Sequence, residues 1–348
     1  MQNTKRGTAR TLATLATAIS LASLAMTAEA AAPALQGYGA TSPVVAGISS
    51  GGYMAVQMQV AYSATFKGAA VFAGGPYYCA QDNASTATTT CEKNSPAIPL
   101  STLEADTNQW ALNGWIDPTA NIGAQNVYMY SGKNDTTVYQ SVMNVLFSYE
   151  TNYMKSGNVT YNSGTSAGHG WVTWKTGTGI NSCSTTASPY LNNCGNDPEF
   201  DLLNKLYGTV TARASSTTGQ MLQFDQTAFV PNGNAAYYSL DNTGYVYVPS
   251  YCASNSGCKV VVAMHGCKQS YSAIGNAFIT NSGLNEYADT NQLIVIYPQT
   301  IASSYSTSYN PNGCWDWWGY TGTNYPIKGG VQPSFIKAIV DKVSSAHY

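Results

Sequence analysis

Residues 42–53 read Ser-Pro-Val-Val-Ala-Gly-Ile-Ser-Ser-Gly-Gly-Tyr. The run from Ser42 to Gly47 has the character of a short buried strand entering a turn. Gly52 to Phe66 (GYMAVQMQVAYSATF) follows with Tyr53, Met54, Val56, Met58, Val60 and Ala61 on a broad apolar face, which predicts a helix. Between them, Gly47-Ile48-Ser49-Ser50-Gly51 fits the pattern G-x-S-x-G with Ser49 at its centre. Gly and Ser are common in this chain, so the pattern alone is weak; its meaning comes from the strand before it and the helix after it. In a nucleophile elbow the turn is so sharp that only glycine fits beside the serine, and the next backbone N–H faces the reacting oxygen. Ser49 then reads as a nucleophile and the Ser50 N–H as an oxyanion donor. The bland alternative is a Gly/Ser turn that caps a helix.

Outward from this point, short apolar runs alternate with helical stretches. Strands are predicted at Gly68–Ala73, Val127–Tyr130, Tyr245–Val248, Lys259–Met264 and Leu293–Tyr297, and helices over 101–112, 138–156 and Phe335–Val343. Residues 74–100 read as a loop, and 157–200 is too rich in Gly, Ser, Thr and Asn to predict firm elements. Strands of four to six apolar residues between helices indicate an α/β fold with a mainly parallel sheet. No internal repeat or Pro/Thr-rich linker interrupts the chain, so residues 31–348 are expected to form a single catalytic domain.

A serine nucleophile needs a base, and the sequence holds three histidines. His347 sits next to the C-terminus, where chains fray. His265 opens a strand-to-loop turn. His169 lies in Ser166-Ala-Gly-His-Gly-Trp171, a glycine-flanked loop able to present an imidazole, and is the preferred candidate. The base in turn needs a carboxylate to fix its tautomer. Asp135 follows the strand ending at Tyr130, at the carboxyl end where parallel sheets build their sites; an Asx turn is the alternative for it. The order Ser, acid, His is that of the α/β-hydrolases. In that fold, however, an early strand leads into a His-Gly loop that supplies a second oxyanion N–H. Here the segment Val260–Cys267, ending His265-Gly266-Cys267, comes after the base instead of before the serine. A circular permutation accounts for this: the same sheet with the ends cut elsewhere.

Charged residues are 9% of the chain, 44% is apolar and Tyr is abundant at 26, so disorder is not indicated and the surface is neutral and aromatic. No basic run suits nucleic acid. Lys5, Arg6 and Arg10 precede an apolar stretch from Thr11 to Met26 and the small-x-small triplet Ala28-Glu29-Ala30. Residues 1–30 thus read as a signal peptide, with a soluble, secreted, extracellular mature chain starting near Ala31. No later run reaches the about 18 apolar residues of a membrane span, so no membrane partner is expected. All eight cysteines fall in the mature part, and an even count in an exported chain points to disulfides. Cys79/Cys91, Cys183/Cys194 and Cys252/Cys258 are close in sequence, which leaves Cys267 for Cys314; spacing does not fix such pairings. Zinc is the rival reading, but there is no CxxC knuckle, and neither a metal nor a cofactor is expected.

Together, "GISSGGYM" around Ser49, "SGKNDTTV" around Asp135, "GHGW" around His169, the late "HGC" and the stretch "NGCWDWWGY" resemble the poly(3-hydroxybutyrate) (PHB) depolymerases. The likeness is to the extracellular, single-domain, circularly permuted type. It implies hydrolysis of the polyester to short 3-hydroxybutyrate oligomers. It also implies Ser49, Asp135 and His169 as the triad, the main-chain N–H groups of Ser50 and Cys267 as the oxyanion hole, and a Cys267–Cys314 bridge holding the oxyanion loop. Many bacterial members carry a separate polymer-binding domain after a linker. This sequence leaves no room for one after residue 348, so adsorption to crystalline polymer would fall to the catalytic domain itself.

A solid or amorphous polyester, the expected partner of a monomeric enzyme, offers methyl, methylene and ester groups and no charge. Trp315, Trp317, Trp318 and Tyr320 follow Cys314 and are candidates to contact it, since Tyr and Trp give apolar area with a polar handle. Alternation along the chain predicts that Trp317 and Trp318 face opposite ways, so that about half of these aromatics meet substrate. Two other readings use the same residues: a secreted feruloyl or acetyl-xylan carboxylesterase with the same triad, and an exported carbohydrate-binding protein in which Ser49 is inert.

Overall fold

In a computed structural model of the chain, the described residues are 1–3, 31–304 and 309–347. Most of the 1–30 targeting segment lies outside them. From Ala32 onward the chain packs as one unit. Its strands are β1 (Thr41–Ile48), β2 (Gly68–Phe72), β3 (Asn126–Tyr130), β4 (Val159–Asn162), β5 (Trp171–Val172), β6 (Asn181–Ser182), β7 (Leu191–Asn193), β8 (Gln220–Asp225), β9 (Thr243–Val248), β10 (Lys259–Met264) and β11 (Leu293–Tyr297).

The main sheet runs β4-β3-β2-β1-β10-β11-β9-β8. The strands from β4 through β11 are parallel, β9 is antiparallel to β11, and β8 is antiparallel to β9. Its centre is apolar at every position because both faces are covered. Along each strand successive residues pass to opposite cores: Val45, Val71, Met129, Val262 and Ile296 enter one, and Ala46, Phe72, Tyr130, Ala263 and Tyr297 the other. Helix α1 (Ser50–Ala61) and the helices Gln140–Tyr153 and Val331–Ser344 pack mainly into the first core. The helices Pro198–Tyr207 and Leu284–Asn291 pack into the second.

The strand order is that of a circularly permuted α/β-hydrolase. β1, the first strand in the chain, lies at the centre of the sheet between β2 and the much later β10. The last helix passes straight to it in space: the Tyr38 N–H donates to Val343 O at 2.9 Å and the Gly39 N–H to Ser345 O at 2.7 Å. A chain closed across this contact and cut before β8 would have ordinary order.

The sequence expectations need several corrections. α1 ends at Ala61 rather than Phe66, and all of its residues are buried, so it has no polar face. A helix sunk between the sheet and other helices has no solvent-facing side, so periodicity cannot reveal its orientation. The 74–100 loop contains short helical turns at Ala84–Thr86 and Ala87–Cys91. The region 157–200 is structured after all. β5, β7 and β6 make a small separate sheet in that order, and Pro198 opens a helix capped by the Asp197 side chain. Strands of two or three residues carry no period to detect, and side chains outside the strands tie this region down.

At the β1–α1 turn the backbone approaches itself closely. A Cβ on Gly47 would stand 2.0 Å from Gly51 O, and one on Gly51 would stand 2.4 Å from Met264 O and 2.5 Å from His265 O. These neighbours are main chain in a sheet and cannot give way. Gly51→Ala is therefore expected to destabilise the fold by about 1–3 kcal/mol, read by chemical denaturation. A second prediction concerns Glu150, fully buried and bonded through one oxygen to Gln59 Nε2 at 2.8 Å. Burial pushes its carboxyl from the ordinary 4.5 up to about 7. Between those values the folded protein holds a proton that the unfolded chain has lost, so stability falls as pH rises through that window. Relative to Glu150→Gln, the wild type should lose about 3 kcal/mol between pH 4.5 and 7, seen as a changing difference in melting temperature.

Candidate active site

Ser49 is the residue at which β1 turns into α1. Its φ of 57° and ψ of −124° put a non-glycine residue in a region that side chains disfavour. Such strain persists only where the surroundings hold it. Here the Ser49 N–H donates to Phe72 O at 3.0 Å, and Ser49 O accepts from the Tyr53 N–H at 2.9 Å. Its side chain borders a cavity of about 260 Å³ that His169 also lines.

Asp135 lies on the loop after β3 and is buried. Its two oxygens have different tasks. Oδ1 accepts from the Thr137 and Val138 N–H groups at 2.9 Å each, and Oδ2 meets His169 Nδ1 at 2.8 Å. The Asx turn and the pairing with His169 are thus both real, and the turn aims the carboxylate. The acid and histidine loops meet through their backbones: the Asn134 N–H donates to Ala167 O at 3.1 Å, and a Cβ on Gly132 would stand 2.1 Å from that oxygen. The His169 N–H donates to Thr186 Oγ1 at 2.8 Å, and the Cys183–Cys194 bridge closes the loop that carries Thr186.

His265 is elsewhere, fully buried at the end of β10. Its tautomer follows from its neighbours. The Thr300 N–H can only donate, and it donates to Nε2 at 3.2 Å. Nδ1 therefore carries the proton and donates to Gly266 O at 2.7 Å. Burial lowers its pKa to about 4, so the ring is neutral at ordinary pH. The Gly266 carbonyl and the Cys267 N–H belong to one peptide plane and point in opposite directions. By holding the carbonyl, His265 orients the Cys267 N–H, which makes no hydrogen bond among the described residues. The Ser50 N–H, at the start of α1, is likewise without an acceptor there.

Gln269, which the sequence reading missed, ties this loop to its surroundings. Its Oε1 accepts from the Gly266 N–H at 2.8 Å, and its Nε2 donates to Pro189 O and Tyr190 O at 3.1 and 3.0 Å. Glu92 was missed as well and lines the same cavity. No local pattern marks either residue; Gln269 matters through partners far along the chain, and Glu92 through the cavity it lines. Cys267 is bonded to Cys314, and the other bridges are Cys79–Cys91 and Cys252–Cys258.

The four aromatics after Cys314 divide differently from the sequence expectation. Trp315 is fully buried in the core, and the Tyr320 hydroxyl turns inward to Cys314 O at 2.7 Å. Neither borders the Ser49 cavity or the apolar one of about 250 Å³ beside it, so the expectation that they contact substrate is corrected. Trp317 and Trp318 both line the apolar cavity, against the expected opposite facing. The turn after Trp315 explains it. The buried Asp316 accepts from the N–H groups of Trp318, Gly319, Tyr320 and Thr321, which coils the segment so that strand alternation does not apply. Trp317 stacks on Tyr53 at 4.0 Å and meets Trp318 edge-on at 5.7 Å. A larger open cleft of about 690 Å³, bordered by Tyr128, Tyr161, Asp201 and Lys205, holds none of the expected site residues. Among the described residues no group of three or more His, Cys, Asp or Glu is arranged to hold a metal ion.

No family model matches the chain. It is 43% identical over 310 residues to the poly(3-hydroxybutyrate) depolymerase of Delftia acidovorans, covering 88% of this chain and 60% of that protein. It is also 43% identical over 331 residues to the polyhydroxybutyrate depolymerase of Talaromyces funiculosus, covering 91% of this chain and 94% of that one. Among solved structures, the PHB depolymerase from Penicillium funiculosum superposes with a TM-score of 0.82 at 40% identity, over 92% of this chain and 100% of that one. An elbow serine, a carboxylate–imidazole pair and the His265–Cys267 loop at the centre of a permuted sheet thus accompany close likeness along nearly the whole chain, which belongs to the poly(3-hydroxybutyrate) depolymerase family.

Proposed function

We propose that this chain is a secreted serine esterase that hydrolyses the ester bonds of poly(3-hydroxybutyrate) to short 3-hydroxybutyrate oligomers. The observation that carries the reading is the 2.8 Å contact of Asp135 Oδ2 with His169 Nδ1, in a cavity that His169 shares with the strained Ser49 elbow. Family membership supplies the substrate class, and a solved PHB depolymerase carrying a serine-to-alanine change is complexed with an R3HB trimer. Export is supported by the basic and apolar pattern of residues 1–30 and by four disulfides. The part from Ala31 onward is taken to act as a monomeric catalytic domain.

With Nδ1 held by Asp135, the Nε2 atom of His169 is free to accept a proton. Ser49 Oγ attacks the ester carbonyl as His169 takes its proton. Charge collects on the carbonyl oxygen, facing the Ser50 and Cys267 N–H groups, each such donor being worth about 3–4 kcal/mol of barrier. As the C–O bond breaks, His169 passes the proton to the departing alkoxide oxygen of the next repeat, which leaves as a hydroxyl, and an acyl-enzyme remains. Water, deprotonated by His169, repeats the sequence and releases a carboxylic acid. Asp135 orients the ring throughout. The neutral wall of Trp317 and Trp318 suits a chain of methyl, methylene and ester groups.

Wild type is expected to clear an amorphous PHB granule suspension and release 3-hydroxybutyrate or its oligomers, while Ser49→Ala, about 10⁴-fold or more slower, leaves it turbid. Clearing by the alanine variant would remove Ser49 as nucleophile. Turbid wild-type samples that still cleave p-nitrophenyl butyrate would replace the polymer with soluble esters. Asp135→Asn should lower kcat by about 10⁴-fold with the fold intact by circular dichroism.

A further inference from the structure

Glu92 occupies an unusual position. The Ser49 cavity and the apolar Trp317/Trp318 cavity share one wall, made by Glu92, Cys267 and Asn312. Glu92 is the one carboxylate among the described residues lining either space. Its backbone is fixed on two sides, by the Tyr139 N–H donating to Glu92 O at 2.8 Å and by the Tyr53 hydroxyl donating to Cys91 O. Its side chain makes no hydrogen bond or ion pair among the described residues. The triad does not use it, and even a half-buried acid gives up part of its hydration at a cost when it has no partner.

The substrate gives such a group something to do. Esters inside a polyester chain are neutral on both sides. The last ester differs: one repeat beyond it lies the terminal carboxylate, on the alcohol that departs. We propose that Glu92 is a specificity-determining residue that keeps a chain-end carboxylate out of the subsite beside Ser49, so that cleavage falls on inner esters and stops at short oligomers. This inference rests on the polyester reading above and sets where along the chain that reaction takes place. No bond changes at Glu92. It acts by charge alone, strongly because the surroundings are partly buried.

The charged and titratable groups near Glu92 are His169 and Asp135 of the triad, Lys93 next in sequence, the Tyr53 phenol, and Lys268, which lines the same cavity. Both lysines are exposed and screened by water. Burial raises the Glu92 carboxyl to about 7, partly opposed by His169 and Lys93. The repulsion is thus present above that pH and fades below it. Protonated, the same group can donate to the carbonyl of a neighbouring repeat.

The test uses 3-hydroxybutyrate dimer, whose single ester lies one repeat from its carboxylate, and the same dimer with a terminal carboxamide. The quantity read is the ratio of kcat/KM for the carboxamide over the acid, so that any pH effect on the catalytic step itself is common to both substrates and cancels. Wild type should favour the carboxamide by about tenfold at pH 8, with the ratio falling toward one at pH 6. Glu92→Gln should give a ratio near one at both values, whatever its absolute rate. A wild-type ratio of one at pH 8, or an unchanged ratio in Glu92→Gln, overturns the inference. If the variant fails to fold, by melting curve, the wild-type pH series alone decides. PHB clearing with a flat ratio sinks only the role of Glu92. Failure to cleave either dimer or the polymer, with p-nitrophenyl butyrate still hydrolysed, sinks the polyester reading and this inference with it.

Discussion

The close passage of backbone past backbone where β1 turns into α1 is the constraint on which the rest depends. Gly47 lies on the carbonyl of Gly51, and Gly51 lies on the carbonyls of Met264 and His265. That contact brings the first strand of the chain against the last residues of β10, more than half the sequence away. It sets Ser49 in its strained conformation and sets the Gly266–Cys267 peptide beside it. One rigid crossing of two neighbouring parallel strands therefore positions both the Ser49 elbow and the loop opposite it. Everything else at the site is brought up to this fixed point: the Asp135 loop from β3, the His169 loop beyond β4, and the Trp317 segment through the Cys267–Cys314 bridge.

The low charge of the chain finds its reason in how these loops are held. Irregular backbone must still satisfy its N–H and C=O groups. Here neutral amides do this work. Asn193 Nδ2 contacts the carbonyls of Thr173, Trp174 and Lys175, and Asn192 Nδ2 those of Cys183 and Thr185. Asn310 both donates to Cys314 O and accepts from its N–H, and Gln226 does the same with Gln299. An amide can bond a carbonyl and an N–H at once and pays no desolvation of charge, so a loop-rich molecule can be tied down without ion pairs. The same economy leaves few charged groups near Ser49, namely Asp135, His169, Glu92, Lys93 and Lys268, which suits a substrate that has no charge of its own.

The permutation illustrates how little the sheet depends on where the chain begins. The contacts of Tyr38 and Gly39 with Val343 and Ser345 bring the two ends of the folded unit together. Strand neighbours are set by burial of the strongly apolar β1, β10 and β11 in the middle and by less apolar strands at the margins. β8, an edge strand with five of six positions exposed or half-exposed and only Phe224 buried, can tolerate being reached by a long connection. Chain order is free to change as long as that arrangement of burial does not.

By itself the sequence determined the central strands, because Lys259–Met264 and Leu293–Tyr297 are apolar throughout, and it pointed to Ser49, Asp135 and His169, because glycines flank two of them and a strand end precedes the third. The displaced His265-Gly266-Cys267 was enough to read the permutation. Tertiary structure alone decided what long-range partners decide. Trp315 and Tyr320 went inward because Asp316 coils their segment around its carboxylate. Gln269 and Glu92 took their places because residues scores of positions away close around them. α1 has no solvent-facing side because it is buried along its whole length. Short-range patterns report local conformation and the period of burial; which side chain meets which cavity depends on contacts between distant segments, and those exist only once the chain has packed.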